Sequence, residues 1–352
     1  MLTAIIFLAM LAVLILAHEL GHFFTARLSG VKVEEFGIGF PPRLFSFKRG
    51  DTVYSLNAVP LGGFTKLLGE EDPTAPGSLA SKSIATRGLV LSAGSLMNIL
   101  LAIALYSISF MIPHDVLLET VQIQEVAPDS PAQSAGVEPG DIILSINDRP
   151  IENRGDVGYL IQLNLGSEIS MLLQKTDLSQ QEVYVEPRWN PPEGQGATGI
   201  VITGIDGTVV RDSYPIWEAV PSGVRNCWEI LVLFRNEIAS WFIRGSLPEI
   251  VAGPIGIAQL TGEMAKAGIS PLLEFAAFIS INLAVINLLP FPGLDGGRLM
   301  FVALEWVRRG KRIPPEKEGL VHLIGFIMLI LLLLIISYHD IIRLIQGESL
   351  LP

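Results

Sequence analysis

Residues Met1 to Ala17 carry no charged group, and the run then meets His18-Glu19-Leu20-Gly21-His22. The apolar pattern resumes through Phe23, Phe24 and Ala26 and is expected to end near Arg27–Leu28. A segment of this length and character is confined to a spanning helix, because in lipid a helix satisfies its own backbone. It lacks the basic leading region of a secretory signal, so it reads as a retained span. On such a helix His18 and His22 share one face. Two imidazoles at that spacing can bind one zinc ion, with Glu19 placed to take a proton from the attacking water. Ionisable groups at membrane depth are costly and mark function. The bland alternative is a helix end where polar groups meet headgroups.

Half of the 352 residues are hydrophobic and only 17% are charged, which suggests several spans plus a soluble portion. Gly88–Ile112, Pro271–Leu289 and Gly319–Tyr338 are the further candidate spans, four in all. Within the second, Ala93-Gly94-Ser95 would allow close helix contact, and Asn98 can hydrogen-bond across an interface. Trp217–Ile243 mixes apolar residues with Glu218, Arg225, Glu229, Arg235 and Glu237, and reads as an amphipathic helix on the membrane surface. Net charge is −11, which argues against nucleic acid as a partner. The single Cys227 excludes an intrachain disulfide and a cysteine-based zinc site.

Basic residues crowd the first loop (Arg27 to Arg87) and the loop Arg308–Lys317, so both are expected on the cytoplasmic side. The acidic stretch between Pro113 and about Tyr214 is expected outside. It has the pattern of a folded domain: strands at Val121–Val126, Asp141–Ile146, Ile169–Gln174 and Gln181–Pro187, an Asn147-Asp148 turn and a helix over Val157–Leu165. Ser130-Pro131-Ala132-Gln133-Ser134-Ala135-Gly136 followed by Pro139-Gly140-Asp141 resembles the bacterial PDZ signature. That resemblance implies binding of a peptide C-terminus, or steric screening of substrates. Between the first two spans, Phe45-Ser46-Phe47, a Lys48–Asp51 turn and Thr52–Val59 form a β-hairpin pattern, expected against the membrane bundle.

Two histidines leave a catalytic zinc site incomplete. His114 and His339 fall on the opposite side by this topology, and His322 has no companion motif. Asp295 is the better third ligand. It lies in Asn287-Leu288-Leu289-Pro290-Phe291-Pro292-Gly293-Leu294-Asp295-Gly296-Gly297, where prolines and glycines break an apolar helix. A simple cytoplasmic turn is the alternative.

Taken in order, these motifs resemble the site-2 protease family of intramembrane zinc metalloproteases, in its bacterial regulator-of-sigma-E branch. Gly253-Pro254-Ile255-Gly256-Ile257 and Asn282–Gly297 add to the likeness. The resemblance implies one Zn2+ per chain on His18, His22 and Asp295, with Glu19 as the catalytic base and an open position for water. It implies substrate-binding roles for Asn287, Asn282 and, on the hairpin, Tyr54 and Leu56. Arg298 stands where many relatives have His, and has no assigned role. The expected fold is a multi-span α-helical membrane protein of four transmembrane helices, with a membrane-associated β-hairpin and an inserted α/β PDZ domain. Its parts are residues 1–112 (first membrane half), 116–204 (PDZ domain), 214–260 (membrane-surface linker) and 271–345 (second membrane half). The expected setting is the bacterial cytoplasmic membrane, with the metal site toward the cytoplasm. Single-span membrane proteins, including anti-sigma factors or signal-peptide remnants, are the expected substrates. A silent adaptor acting through the PDZ domain, and a transporter with inverted repeats, are the competing readings.

Overall fold

A computed structural model describes residues 2–70, 75–245 and 253–346. Part of the stretch read as a membrane-surface linker, residues 246–252, lies outside the described residues. The elements run α1 (Leu2–Leu28), β1 (Val33–Arg49), β2 (Thr52–Leu67), α2 (Ile84–Met111), β3 (His114–Val126), α3 (Pro131–Ser134), β4 (Ile142–Ile146), β5 (Arg149–Pro150) and α4 (Arg154–Leu163). Then follow β6 (Ile169–Gln174), β7 (Gln180–Val185), β8 (Ile200–Asp212), α5 (Ile216–Arg244), α6 (Pro254–Ala267), α7 (Ile269–Leu288), α8 (Asp295–Val307) and α9 (Pro315–Gln346). The chain divides into two compact units: Met1–Ser109 with Glu218–Cys227 and Ile250–Pro352, and Phe110–Trp217 with Trp228–Glu249.

In the first unit, α1, α2, α7 and α9 are long and apolar enough to cross a membrane, and these are the four expected spans. Residues such as Leu331 and Leu334 on α9 are about half exposed, as lipid-facing side chains would be. Helices α1 and α2 approach at backbone contact, because a side chain at Gly21 would collide with the Ala93 carbonyl. Arg87 of α2 donates to Glu305 of α8 at 2.7 Å, and Arg312 donates to the other oxygen at 3.2 Å. Burial would raise the Glu305 carboxyl, but these bonds outweigh it and hold the group below the usual carboxylate range.

Strands β1 and β2 pair antiparallel from Arg49 opposite Thr52, yet both are irregular. Glu35–Ile38 faces Gly63–Lys66 on one side and Val53–Leu56 on the other, so the two long strands behave as four short ones. Phe36 and Leu67 of this sheet pack with Phe23 and Ala26 of α1 and Val90 and Leu91 of α2.

The second unit is a six-stranded sheet in the order β7-β6-β4-β3-β8, with β5 paired to β4. Ile169, Met171 and Leu173 alternate into its core at 0% exposure, the period-two signature of a half-buried strand. Asn147 and Asp148 take φ of 49° and 60°, the left-handed pair that closes a tight hairpin. Ser130 caps α3 by accepting from the Gln133 N–H, and Asp141 is buried, accepting from the Glu138 N–H and Lys175 at 2.9 Å each. The Ser-Pro and Pro-Gly-Asp signature is thus a set of caps and turns. Strand β3 begins at His114, ahead of the expected Val121, and pairs with β8, a strand that the sequence pattern does not reveal. The far end of β8 is exposed on both faces, so its residues show no alternation.

Candidate metal centre

His18 and His22 project from α1 toward the first residue of α8, Asp295. The two Nε2 atoms lie 3.2 Å apart, and Asp295 Oδ2 lies 3.0 Å from His18 Nε2 and 3.1 Å from His22 Nε2. His22 Nδ1 is 2.8 Å from the Val90 carbonyl, which can only accept. Nδ1 therefore carries the proton, which leaves Nε2 as the ring atom turned toward His18 and Asp295 and able to serve as a ligand. Three ligand atoms converging in this way can hold one cation among them. Zinc bonds of about 2.0–2.1 Å at tetrahedral angles would set ligand atoms about 3.3 Å apart, close to what is observed. Two imidazoles and one carboxylate are also a donor set of catalytic zinc, with one position left open. The residues present fit the ion.

The surroundings show why small residues flank the site. A side chain at Gly94 would strike both imidazoles, so α2 presents bare backbone as the floor. Asp295 is delivered by a tight loop. Side chains at Gly296 and Gly297 would collide with the Leu289 and Phe291 carbonyls. That loop is seated on α9: the Gly293 N–H donates to His322 Nδ1 at 3.0 Å, and Gly325 leaves room for the Pro292 carbonyl. Arg298, one turn into α8, pairs with Glu70 at 2.7 Å just after β2. Its role is therefore a tie between α8 and the sheet.

A cavity of 240 Å³ opens beside the three donors, lined by the polar residues His18, Glu19, Asn98, Asn287 and Asp295 with Ile15 and Leu283 among its apolar walls. Glu19 and Asn287 are thus brought to the site. Asn282 is not among the lining residues; its amide donates to the Phe278 carbonyl of its own helix at 3.0 Å. Tyr54 stacks on Phe47 and packs against Phe23 and Phe36. Leu56 is exposed, but the Val53–Leu56 segment has strand neighbours on both sides. Both backbone edges there are paired, so Tyr54 and Leu56 can present side chains only. The segment next to Glu19 is Gly62–Lys66. Thr65 donates to the Glu19 carbonyl at 3.0 Å, and a side chain at Gly63 would lie 3.4 Å from Glu19 Cγ.

Two contributors escape a reading of the sequence: the Val90 carbonyl, which carries no sequence signal, and the seat made by His322, a single polar residue in an apolar helix. Asn98 is marked there only as an interhelical partner, not as part of the cavity wall.

Peptidase family M50 matches residues 6–332. The chain belongs to peptidase family M50. That match contains every residue of the centre just described. Relatives of this M50 peptidase include a Clostridium acetobutylicum protein named for a zinc metalloprotease, 36% identical over 94% of both chains. A Rhizobium meliloti protein so named is 34% identical over 95% of both. The zinc metalloprotease RasP of Oceanobacillus iheyensis is 30% identical over 98% of this chain and 100% of its own. Among solved structures, the PDZ domain of an SdrC-like protein of Listeria monocytogenes covers 24% of this chain and 88% of its own at 17% identity, with a TM-score of 0.22. That likeness is too low to argue from.

Proposed function

We propose that this M50 zinc metalloprotease hydrolyses peptide bonds within or beside the transmembrane segments of single-span membrane proteins. The observation that carries the reading is the convergence of His18, His22 and Asp295 on one point, at 3.0–3.2 Å, with His18 and Asp295 in the wall of a cavity that also holds Glu19. His18, His22 and Asp295 would hold the zinc, and Glu19 is the base.

Zinc, when bound, supplies a Lewis acid that polarises the scissile carbonyl and acidifies water. Glu19 takes a proton from the water as its oxygen attacks the carbonyl carbon. The same carboxyl then hands the proton to the amine nitrogen as the carbon–nitrogen bond breaks. Val90 holds His22 in one tautomer through this cycle, and Asn287 donates toward the substrate main chain. A helical substrate hides its peptide bonds and must unwind before it can react. The Gly62–Lys66 segment beside Glu19 is the place where an unwound strand would add to the sheet. The substrates are membrane proteins cleaved in regulated intramembrane proteolysis, such as anti-sigma factors or signal-peptide remnants.

The unit built on β3–β8 is read as a PDZ domain over residues 116–204, binding peptide ends or screening bulky ectodomains. The basic loops put the metal centre toward the cytoplasm of a bacterial cytoplasmic membrane and this domain outside. The test pairs zinc content with cleavage of a single-span reporter in detergent, for wild type and Glu19→Gln. Zinc in both with cleavage only in wild type supports the reading. Full activity in Glu19→Gln would remove Glu19 from its role, and zinc without cleavage in either would favour the adaptor.

A further inference from the structure

Asn98 is completely buried in α2, and neither atom of its carboxamide has a hydrogen-bond partner among the described residues. Buried amides are nearly always paired, because an unmatched donor or acceptor forfeits its hydrogen bonds to water. The interhelical bond expected of this residue does exist, but the main chain makes it: Ser280 of α7 donates to the Asn98 carbonyl at 2.8 Å. That bond fixes α2 against α7 and leaves the side chain to the cavity, whose wall it shares with His18, Glu19, Asn287 and Asp295. A carboxamide offers one face as donor and one as acceptor, the same pair that an extended peptide presents along its edge.

We infer that Asn98 is a substrate-binding residue whose carboxamide hydrogen-bonds the main chain of the unwound segment next to the scissile bond. Asn98 then grips from α2 while Asn287 grips from α7, so the strand is held from two helices. This inference rests on the protease reading above. It assigns to α2 a part in recognition as well as the floor beneath the metal.

The experiment measures kcat and KM for a single-span reporter, together with zinc content and melting temperature, for wild type, Asn98→Leu and Asn98→Ala. Leucine keeps the branching and heavy-atom count of asparagine, with bulkier methyl groups, and removes both hydrogen bonds. Loss of two hydrogen bonds to substrate predicts a fall in kcat/KM of about 30- to 100-fold, mostly in KM. Zinc content should stay that of wild type, and the leucine variant should melt no lower, since an unmatched amide has gone. Alanine carries the test if leucine fails to fold. A fall of tenfold or more with zinc and melting preserved upholds the role. Cleavage within threefold of wild type, or loss of zinc and an early melt in both variants, overturns it. Wild type that binds zinc yet cleaves nothing would bring down the protease reading itself, and this inference with it.

Discussion

Replacing Gly94 by alanine puts a methyl group between the two imidazoles of the metal centre. Built on the existing backbone, that carbon lies 2.6 Å from His18 Cε1 and Nε2 and closer still to His22 Nε2. Ordinary contact begins near 3.4 Å, so the His18 ring must retreat by about 0.8 Å. Metal–ligand distances tolerate only about 0.2 Å, so at least one histidine leaves coordination range. Four ligands sharing about 10–16 kcal/mol of zinc binding give about 3 kcal/mol for one of them, or roughly a 150-fold loss of affinity. The fold should not suffer, because alanine is about 1 kcal/mol better than glycine inside a helix. Gly88 is the control: it lies in the same helix, and a methyl carbon added there would have nothing within 4 Å. The assay is zinc competition against a chelator, followed by reporter cleavage and melting. Gly94→Ala holding zinc within threefold of wild type would refute the reasoning, and so would an equal loss in Gly88→Ala.

Three further outcomes follow from the described contacts. Glu305→Gln leaves Arg87 buried with a weakened partner and should lower stability by about 3 kcal/mol, read as an earlier melt. Because the folded-state pKa of Glu305 is depressed, its contribution is full above about pH 5; it is lost as pH falls through and below 4.5, so wild type and variant should converge in acid. His322→Ala removes the seat of the Asp295 loop at Gly293, and chelator competition should show zinc affinity lower by about tenfold. Asp141→Ala strands Lys175 and the Glu138 N–H, so hydrogen exchange should speed up at the β4 and β6 amides.

How much of this is legible in sequence follows the length scale of each signal. Spans show in composition alone, and strands such as Ile169–Gln174 show in strict alternation. The His18–His22 spacing is local to one helix and equally plain. Asp295 lies 277 residues from His18, yet a broken apolar helix marks it even without its partner. Register is another matter. That Glu35–Ile38 is flanked by two parts of β2 depends on bulges, which no periodicity encodes. Hence the hairpin pattern alone does not show that Tyr54 and Leu56 have strand neighbours on both sides. His322 goes unmarked because a lone histidine in a span carries no sign of the loop it supports.

The separation of the ligands also has a consequence for biogenesis. His18 and His22 leave the ribosome early, whereas Asp295 follows 277 residues after His18. At about 5–20 residues per second, that interval is roughly 15 to 55 s. Throughout it a nascent chain holds only two of the three protein donors that converge in the finished molecule. The hydrolytic machinery would therefore remain unassembled while the enzyme's own spans are still entering the bilayer as unpacked helices. The order of residues along the chain acts as a delay on the newborn enzyme's own activity.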